Sequence, residues 1–121
     1  MIVGIGLDLV SVPRLGQVMR RHGTRFLARC FAPGELARPW DPQHVAGLFA
    51  AKEAAFKALG TGWGQGVGFL QVLVAKDDWG KPLLSFHGAA LERFRQLGAS
   101  QAHLSLTHTA EMAAAVVILS R

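Results

Sequence analysis

The chain contains 121 residues, of which 50% are hydrophobic, and its formal net charge is +5, from 13 lysines and arginines against 8 acidic residues. This length suits one domain, residues 1–121, and excludes two independent cores. The single cysteine, Cys30, excludes an internal disulfide, and no stretch approaches the roughly 18 apolar residues of a membrane span. We therefore expect a cytoplasmic protein that does not span a membrane, and the high apolar content indicates that part of its surface meets another subunit.

The predicted elements alternate along the chain between strands and helices. The first half predicts a strand over 2–10, a helix from Pro13 to about residue 29, an irregular segment over 31–43, and a helix from about His44 to Leu59, ended by Gly60. The second half predicts a hairpin of strands 69–76 and 83–86, a short helix over 89–97, and two closing strands paired around residues 108–112. The predicted class is α+β with mostly antiparallel strands.

The first predicted helix carries an unbalanced positive charge. Five arginines and no acidic residue fall between residues 14 and 29. Arg14, Arg21 and Arg25 are spaced by seven and four positions, which places them on one face of an unbroken helix. A solvated basic face is the plain interpretation, but like charges without acidic neighbours destabilise a helix, which favours a role in binding an anionic partner. Nucleic acid, a membrane surface and an acidic protein all stay open at this point.

The second predicted helix is apolar on nearly every side, which indicates burial all round. Its large side chains and its alanines occupy opposite sides of the helical wheel: Val45, Leu48, Phe49, Phe56 and Leu59 against Ala50, Ala51, Ala54 and Ala58. Lys52 falls within the large apolar stripe, while Glu53 and Lys57 lie one turn apart at its edge. In the plain interpretation, Glu53 pairs with Lys57 and Lys52 extends to solvent. In the functional one, the carboxylate binds a metal ion and the ammonium binds a phosphate.

Polar residues also mark the first and fourth predicted strands. Asp8 interrupts the apolar run GIGLDLV, as a turn or capping aspartate or as a ligand-binding residue. Gly4 and Gly6 permit close approach of a ligand or a strand, although GIG lacks the third glycine of a dinucleotide-binding fingerprint. The run AHLSLTH alternates between an apolar face and a polar face that includes Thr107. His108 follows at the turn, as a satisfied polar residue or as a site residue.

Four segments, GIGLDLVSVPRL, FAAKEAAFKALGTG, GKP and LSLTHTAEMAAA, together resemble the holo-acyl-carrier-protein synthases, a family of small trimeric bacterial 4′-phosphopantetheinyl transferases. The resemblance covers nearly the whole chain. Its most specific parts are the G-x-D followed six residues later by arginine and the run K-E-A-x-x-K-A-x-G. The resemblance implies a mostly antiparallel sheet packed on a long buried helix, assembled as a homotrimer with its sites between subunits.

The resemblance also implies an activity and its residues. The implied reaction moves the phosphopantetheine group of coenzyme A onto a serine of apo-acyl carrier protein and releases 3′,5′-ADP. Asp8 and Glu53 would bind Mg²⁺ and act in catalysis with Lys57, which would contact the phosphates of coenzyme A. The coenzyme pocket would include Lys57, Gly60, Thr107 and His108, with His108 supplied by the neighbouring subunit. Arg14, Arg21 and Arg25 would receive the acidic recognition helix of the carrier protein.

Three positions depart from the usual family pattern, and two other functions compete with transfer. Leu48 replaces an arginine, Met112 an aromatic residue and Trp79 an asparagine. A nucleic-acid-binding module would explain the arginines but not Asp8, Glu53 and Lys57, so we expect no nucleic acid partner and, with the carrier protein as the anionic partner, no membrane partner. A nucleotide carrier without turnover is the other alternative. The base that takes the serine proton is open between Glu53 and a metal-bound water.

Overall fold

The computed structural model describes residues 1–37, 39–62 and 64–121. Its elements in chain order are β1 (Ile2–Ser11), α1 (Val12–Cys30), α2 (Pro42–Leu59), β2 (Val72–Lys76), β3 (Pro82–Phe86), α3 (Gly88–Gln96), β4 (Gln101–His108) and β5 (Met112–Ser120). The predicted class and order of elements are confirmed. One boundary is wrong, because Phe69–Gln71 form a 3₁₀ turn and the strand begins at Val72. No helix in the described ranges has both the length and the apolar character needed to cross a membrane.

The main sheet contains three antiparallel strands in the order β1–β5–β4, while β2 and β3 pair as a separate antiparallel hairpin. Because side chains alternate along a strand, each strand of the main sheet has one side facing α2 and one facing outward. Asp8, Ala115 and Leu106 lie in one row of the inward side, and Leu9, Ala114 and Thr107 in the adjacent row of the outward side. The predicted two faces of β4 are thereby confirmed.

Helix α2 lies at the centre of the fold and is buried on nearly all sides. It begins at the cap residue Asp41, whose Oδ1 accepts a hydrogen bond from Gln43 N at 3.1 Å, and it ends at Gly60 with φ 77°. Its buried residues are Val45, Ala46, Gly47, Leu48, Ala50, Ala51, Lys52, Ala54, Ala55, Phe56, Ala58 and Leu59. The predicted all-round burial is confirmed. The interpretation that Lys52 extends to solvent is wrong, because Lys52 has 0% of its surface exposed.

Strand β1 packs directly on α2 because two of its inward positions carry no side chain. A Cβ built on Gly6 would overlap the Ala54 carbonyl, and one built on Gly4 would overlap the Ala58 carbonyl. Glycine is therefore required at both positions for this strand and helix to lie so close. The contact determines where the next inward residue, Asp8, meets the helix.

Helix α1 is not continuous, which corrects the sequence prediction. It begins at Ser11, whose Oγ accepts a hydrogen bond from Arg14 N at 3.3 Å, and Pro13 lies in its first turn. Gly23 then adopts φ 53° and ψ −130°, a conformation that breaks the helical path and that L side chains rarely adopt. The spacing argument that put Arg25 on the same face as Arg14 assumed an unbroken helix, so it fails beyond Gly23.

Candidate active site

Asp8 and Glu53 line one cavity of about 520 Å³ between β1, α1 and α2, which we call the acidic cavity. Arg14 belongs to the same lining, and the rings of Phe26 and Phe49 close one side. Asp8 arrives on the inward side of β1 and Glu53 on the half-buried edge of α2, because the two preceding glycines of β1 allow the strand to touch the helix. The structure thus brings together two carboxylates that lie far apart in the sequence.

Lys57 lies beside Asp8. Its Nζ donates hydrogen bonds to Asp8 Oδ1 at 3.1 Å and to the Leu7 carbonyl at 3.0 Å. The side chain of Lys57 is 55% exposed and that of Asp8 15% exposed, so water screens the ion pair and its contribution to stability is at most about 1 kcal/mol. An ammonium held this weakly in place is able to interact with an anion that enters from solvent.

The acidic cavity has a donor set that fits Mg²⁺. Magnesium sites typically use one or two carboxylates together with substrate phosphates and water, and Asp8 with Glu53 provide two carboxylates. Within residues 1–37, 39–62 and 64–121, no cluster of three or more His, Cys, Asp or Glu side chains could hold a metal ion. The pair therefore suits an ion that completes its coordination with substrate oxygens rather than one enclosed entirely by protein.

His108 lies in a different cavity from Asp8. It lines a space of about 520 Å³ between α2, the β2–β3 hairpin and β4, together with His44, Lys76 and Lys81, and we call this the basic cavity. The described residues of its lining include no acidic side chain. Burial lowers the pKa of His44. The nearby charges of Lys76 and His108 lower this pKa further, and the charge of Asp41 opposes the shift. Among the described residues, the ammonium groups of Lys76 and Lys81 therefore have no carboxylate beside them in the lining.

The other predicted coenzyme residues are dispersed in one chain. Thr107 lies on the outward side of β4, exposed, and strand β5 separates it and His108 from Asp8. Gly60 ends α2, where Arg93 Nε donates to the neighbouring Leu59 carbonyl at 2.8 Å. A single chain therefore does not bring His108 and Thr107 to the acidic cavity.

The predicted arginine face is divided by the break in α1. Arg14 and Arg21 are exposed and line a shallow cavity of about 680 Å³ on the first half of the helix. Arg25 instead lines a cavity of about 610 Å³ with Arg29, and we call this the aromatic cavity because the rings at its base are Phe26, Phe49 and Phe69. The interpretation of one continuous stripe is corrected to two basic surfaces on either side of Gly23.

The sequence analysis did not predict two pairs of neighbouring residues, Glu35 with Lys52 and His44 with Lys76. Glu35 forms an ion pair with Lys52 at 2.7 Å, although its position in a proline-rich irregular segment gave no indication that it is buried. The charged Lys52 within an apolar stripe was the available signal, because a buried ammonium requires an acceptor. His44 and Lys76 carry no recognisable spacing, since α2 and the hairpin bring them together only in the fold. Leu48, at the position where arginine is usual, is buried in the lining of the same basic cavity.

Comparisons with known proteins show the family to which the chain belongs. Residues 4–117 match the 4′-phosphopantetheinyl transferase superfamily. The chain is 49% identical to a holo-[acyl-carrier-protein] synthase of Solidesulfovibrio magneticus over 121 residues, 98% of each chain. The holo-[acyl-carrier-protein] synthase of Helicobacter pylori, solved in complex with coenzyme A, superposes with a TM-score of 0.86 at 33% identity, covering 96% of this chain and 99% of that one. The Bacillus anthracis enzyme in complex with CoA (3′,5′-ADP) superposes with a TM-score of 0.79 at 37% identity, covering 98% and 96%.

The chain therefore belongs to the 4′-phosphopantetheinyl transferase superfamily. The fold that the sequence resemblance implied is confirmed by these superpositions. The roles of individual residues depend on the geometry described above and are developed below.

Proposed function

We propose that this chain transfers the 4′-phosphopantetheine group of coenzyme A to a serine of apo-acyl carrier protein and releases 3′,5′-ADP. The observation that carries the proposal is the acidic cavity, which Asp8 and Glu53 both line, with the ammonium of Lys57 hydrogen-bonded to Asp8. Two carboxylates and a cation at one cavity suit a metal-assisted displacement at phosphorus. The family membership and the coenzyme A complex of the Helicobacter pylori relative support the same reaction.

The proposed step is a substitution at the phosphorus that carries the pantetheine arm. The serine oxygen forms a new bond to that phosphorus, the anhydride bond of the pyrophosphate breaks, and 3′,5′-ADP leaves with the bonding electrons. The serine proton passes to a base at the acidic cavity. When bound by Asp8 and Glu53, Mg²⁺ supplies charge neutralisation at the pyrophosphate. Lys57 would add a second positive charge, because its ammonium is exposed and is hydrogen-bonded to Asp8.

The basic cavity would hold the remaining phosphate of the coenzyme. A phosphate monoester carries up to two negative charges, and Lys76 and Lys81 present two ammonium groups beside His108, with no acidic residue in the described lining. In one chain, β5 lies between the strands that carry Asp8 and His108, so the coenzyme would reach this cavity on a neighbouring subunit. Thr107 and Gly60 are proposed to complete the coenzyme pocket at the same subunit boundary.

The outward side of β1 supports a homotrimer. Ile5, Leu7 and Leu9 are 63%, 65% and 64% exposed, and the outward residues Val116 and Ile118 of β5 continue the same apolar surface. An apolar strip on an edge strand is a surface that a second copy can cover. The assembly that we propose is a homotrimer in which each site uses Asp8 and Glu53 of one subunit and His108 of the next.

The carrier protein would bind along α1. Arg14 and Arg21 are exposed beside the acidic cavity, and Arg25 lies beyond the break at Gly23. Guanidinium groups bind carboxylates through paired hydrogen bonds, so an acidic helix of a carrier protein fits this surface. The buried free thiol of Cys30 suits a reducing compartment, and we place the reaction in the cytoplasm.

The activity is tested with coenzyme A that carries a radioactive label in its pantetheine arm. Incubation with apo-carrier protein should leave label on the protein, removal of divalent cations with a chelator should stop the transfer, and Mg²⁺ should restore it. Label that stays on coenzyme A while the nucleotide still binds would instead indicate a carrier without turnover. A salt-dependent gel shift with nucleic acid, without coenzyme binding, would favour the nucleic-acid alternative.

The site between subunits is tested by mixing two impaired variants. Asp8→Asn and His108→Ala are each expected to be inactive or nearly so. After the two are unfolded and refolded together, some boundaries combine the intact Asp8 of one subunit with the intact His108 of its neighbour, and activity should return. A mixture that stays inactive while each variant is trimeric by light scattering would contradict the arrangement.

A further inference from the structure

The buried ion pair of Lys52 and Glu35 lies outside the proposed chemistry. Lys52 is fully buried, and its Nζ donates to the Cys30 carbonyl at 2.7 Å, to Glu35 Oε1 at 2.7 Å and to the Phe69 carbonyl at 3.2 Å. An ammonium has three hydrogens, so each has an acceptor. The ring of Phe31 lies 4.9 Å from the same nitrogen. This geometry fixes the ammonium from several directions at once.

Glu35 extends the network to two further segments. Its Oε1 also accepts a hydrogen bond from Ala32 N at 2.7 Å, and its Oε2 accepts one from Val74 N at 2.8 Å. The pair therefore connects α2, the last residue of α1, the segment after it, the 3₁₀ turn and β2. These segments are distant in sequence, and one buried pair holds them in register.

Two of the atoms that Lys52 binds belong to two different walls of the aromatic cavity. Cys30 ends the α1 wall, which carries Arg25 and Arg29, and Phe69 belongs to the wall formed by residues 67–69. The ring of Phe69 also stacks on Phe49 with centroids 5.3 Å apart. A shift of either carbonyl would therefore change the width of the cavity and the position of its aromatic base.

The same aromatic base borders the acidic cavity. Phe49 and Phe26 line both cavities, and their ring centroids lie 5.9 Å apart. A buried ion pair is a poor source of stability, because apolar residues of similar volume often serve as well or better. The ion pair of Lys52 and Glu35 is therefore better explained by a role in holding the walls of the aromatic cavity in place.

We propose that Lys52 is a positioning residue for carrier-protein recognition, whose paired ammonium fixes the two walls of the aromatic cavity and with them the guanidinium groups of Arg25 and Arg29. The inference deepens the proposed function and rests on it, since it requires the carrier protein to bind along α1. Lys52 acts through the backbone of Cys30 and Phe69 and contacts no substrate.

The test replaces the pair with apolar residues of similar volume in the double variant Lys52→Met/Glu35→Leu. No unpaired charge is left because both charges are removed together, so we expect it to fold, but with a lower Tm than the wild type because the backbone groups that the pair bound lose their partners. The KM for the carrier protein should rise about tenfold, because misplaced binding groups weaken recognition. The kcat and the KM for coenzyme A should change less than about twofold.

Two further variants complete the test. Glu35→Gln keeps the volume and one acceptor, so it should fold and raise the KM for the carrier protein by about threefold. Glu92→Leu/Arg95→Met applies the same kinds of substitution to exposed residues of α3, and should retain the wild-type KM. Failure of wild-type protein to label the carrier protein would overturn the proposed function itself. With an active wild type, a folded Lys52 or Glu35 variant with an unchanged KM, or with kcat and both KM values impaired alike, would overturn the positioning role.

Discussion

The acidic cavity and the basic cavity have similar volumes but differ in how their charged side chains are paired. In the acidic cavity, Asp8 already has a cationic partner in Lys57, and the position of both is determined by contact between β1 and α2. In the basic cavity, cations collect around a lining in which the described residues include no carboxylate. The first site is assembled by contact between a strand and a helix, whereas the second presents basic side chains that we propose bind an incoming anion.

The largest effect should come from filling the space between β1 and α2. Gly6→Ala places a methyl group against the Ala54 carbonyl, a backbone atom that cannot rotate away. We expect a loss of about 3 kcal/mol of stability and of nearly all transfer activity, because the strand must shift and carry Asp8 with it. Thermal unfolding and the label-transfer assay measure the two effects.

The matched control for this change is Gly68→Ala. Gly68 has an extended backbone with φ −140°, and no atom lies within 4 Å of its Cβ position. Its Tm should stay within about 2 °C of the wild type. A Gly6→Ala protein with wild-type Tm would show that backbone contact does not build the acidic cavity.

The second largest effect should come from removing the negative charge of Asp8 while its shape is kept. Asp8→Asn keeps an oxygen that accepts from Lys57 but loses the negative charge, so activity should fall about 10³-fold. The Tm should change little, because the exposed ion pair contributes at most about 1 kcal/mol. Asp78→Asn, at an exposed position in the hairpin turn, is the control and should remain active. Retained activity of Asp8→Asn with Mg²⁺ present would remove Asp8 from the mechanism.

The third effect concerns the basic cavity. Lys76→Met removes one of the cations that we assign to the coenzyme phosphate, and the KM for coenzyme A should rise about tenfold with kcat nearly unchanged. Arg95→Met removes a charge from the exposed surface of α3 and should leave that KM unaltered. If the two variants behave alike, the basic cavity does not bind the coenzyme.

The smallest effect is a pH dependence that belongs to the basic cavity. The folded-state pKa of His44 lies below its ordinary value of 6.5, mainly because the side chain is partly buried. Lys76 and His108 lower this pKa as well, and Asp41 raises it. The stability contributed by neutral His44 is therefore full above pH 6.5 and is lost as the pH falls through the folded-state pKa. When the pH is lowered from about 7 to about 5, the Tm of the His44→Gln variant should fall by less than the Tm of the wild type. The control His87→Gln alters an exposed histidine and should follow the wild-type curve.

Sequence patterns predicted the elements well because their signals are local. The apolar surround of α2 and its stop at Gly60 are visible in consecutive residues, and so is the alternation of β4. The break at Gly23 was missed because one glycine within a helical pattern is compatible with an intact helix. Whether such a glycine adopts a positive φ depends on packing that the sequence does not display.

The candidate site was predictable in its residue types and much less in its contacts. Asp8 and Glu53 attracted notice as charges in apolar surroundings, but the ion pair of Asp8 with Lys57 requires the particular register of β1 on α2. The Lys52–Glu35 pair was missed for a similar reason, because an irregular segment has no periodicity from which inward residues can be read. Long-range partners follow from tertiary packing, which a one-dimensional pattern specifies only indirectly.

The exposed aliphatic side chains of β1 have a consequence for how this protein should be handled. If copies of the chain cover Ile5, Leu7 and Leu9 for one another, folding and association become one equilibrium. Dilution would then lower the melting temperature. An isolated subunit would expose an apolar edge strand that can pair with the edge strand of another sheet. A high protein concentration during purification would favour the assembled form and would therefore reduce precipitation.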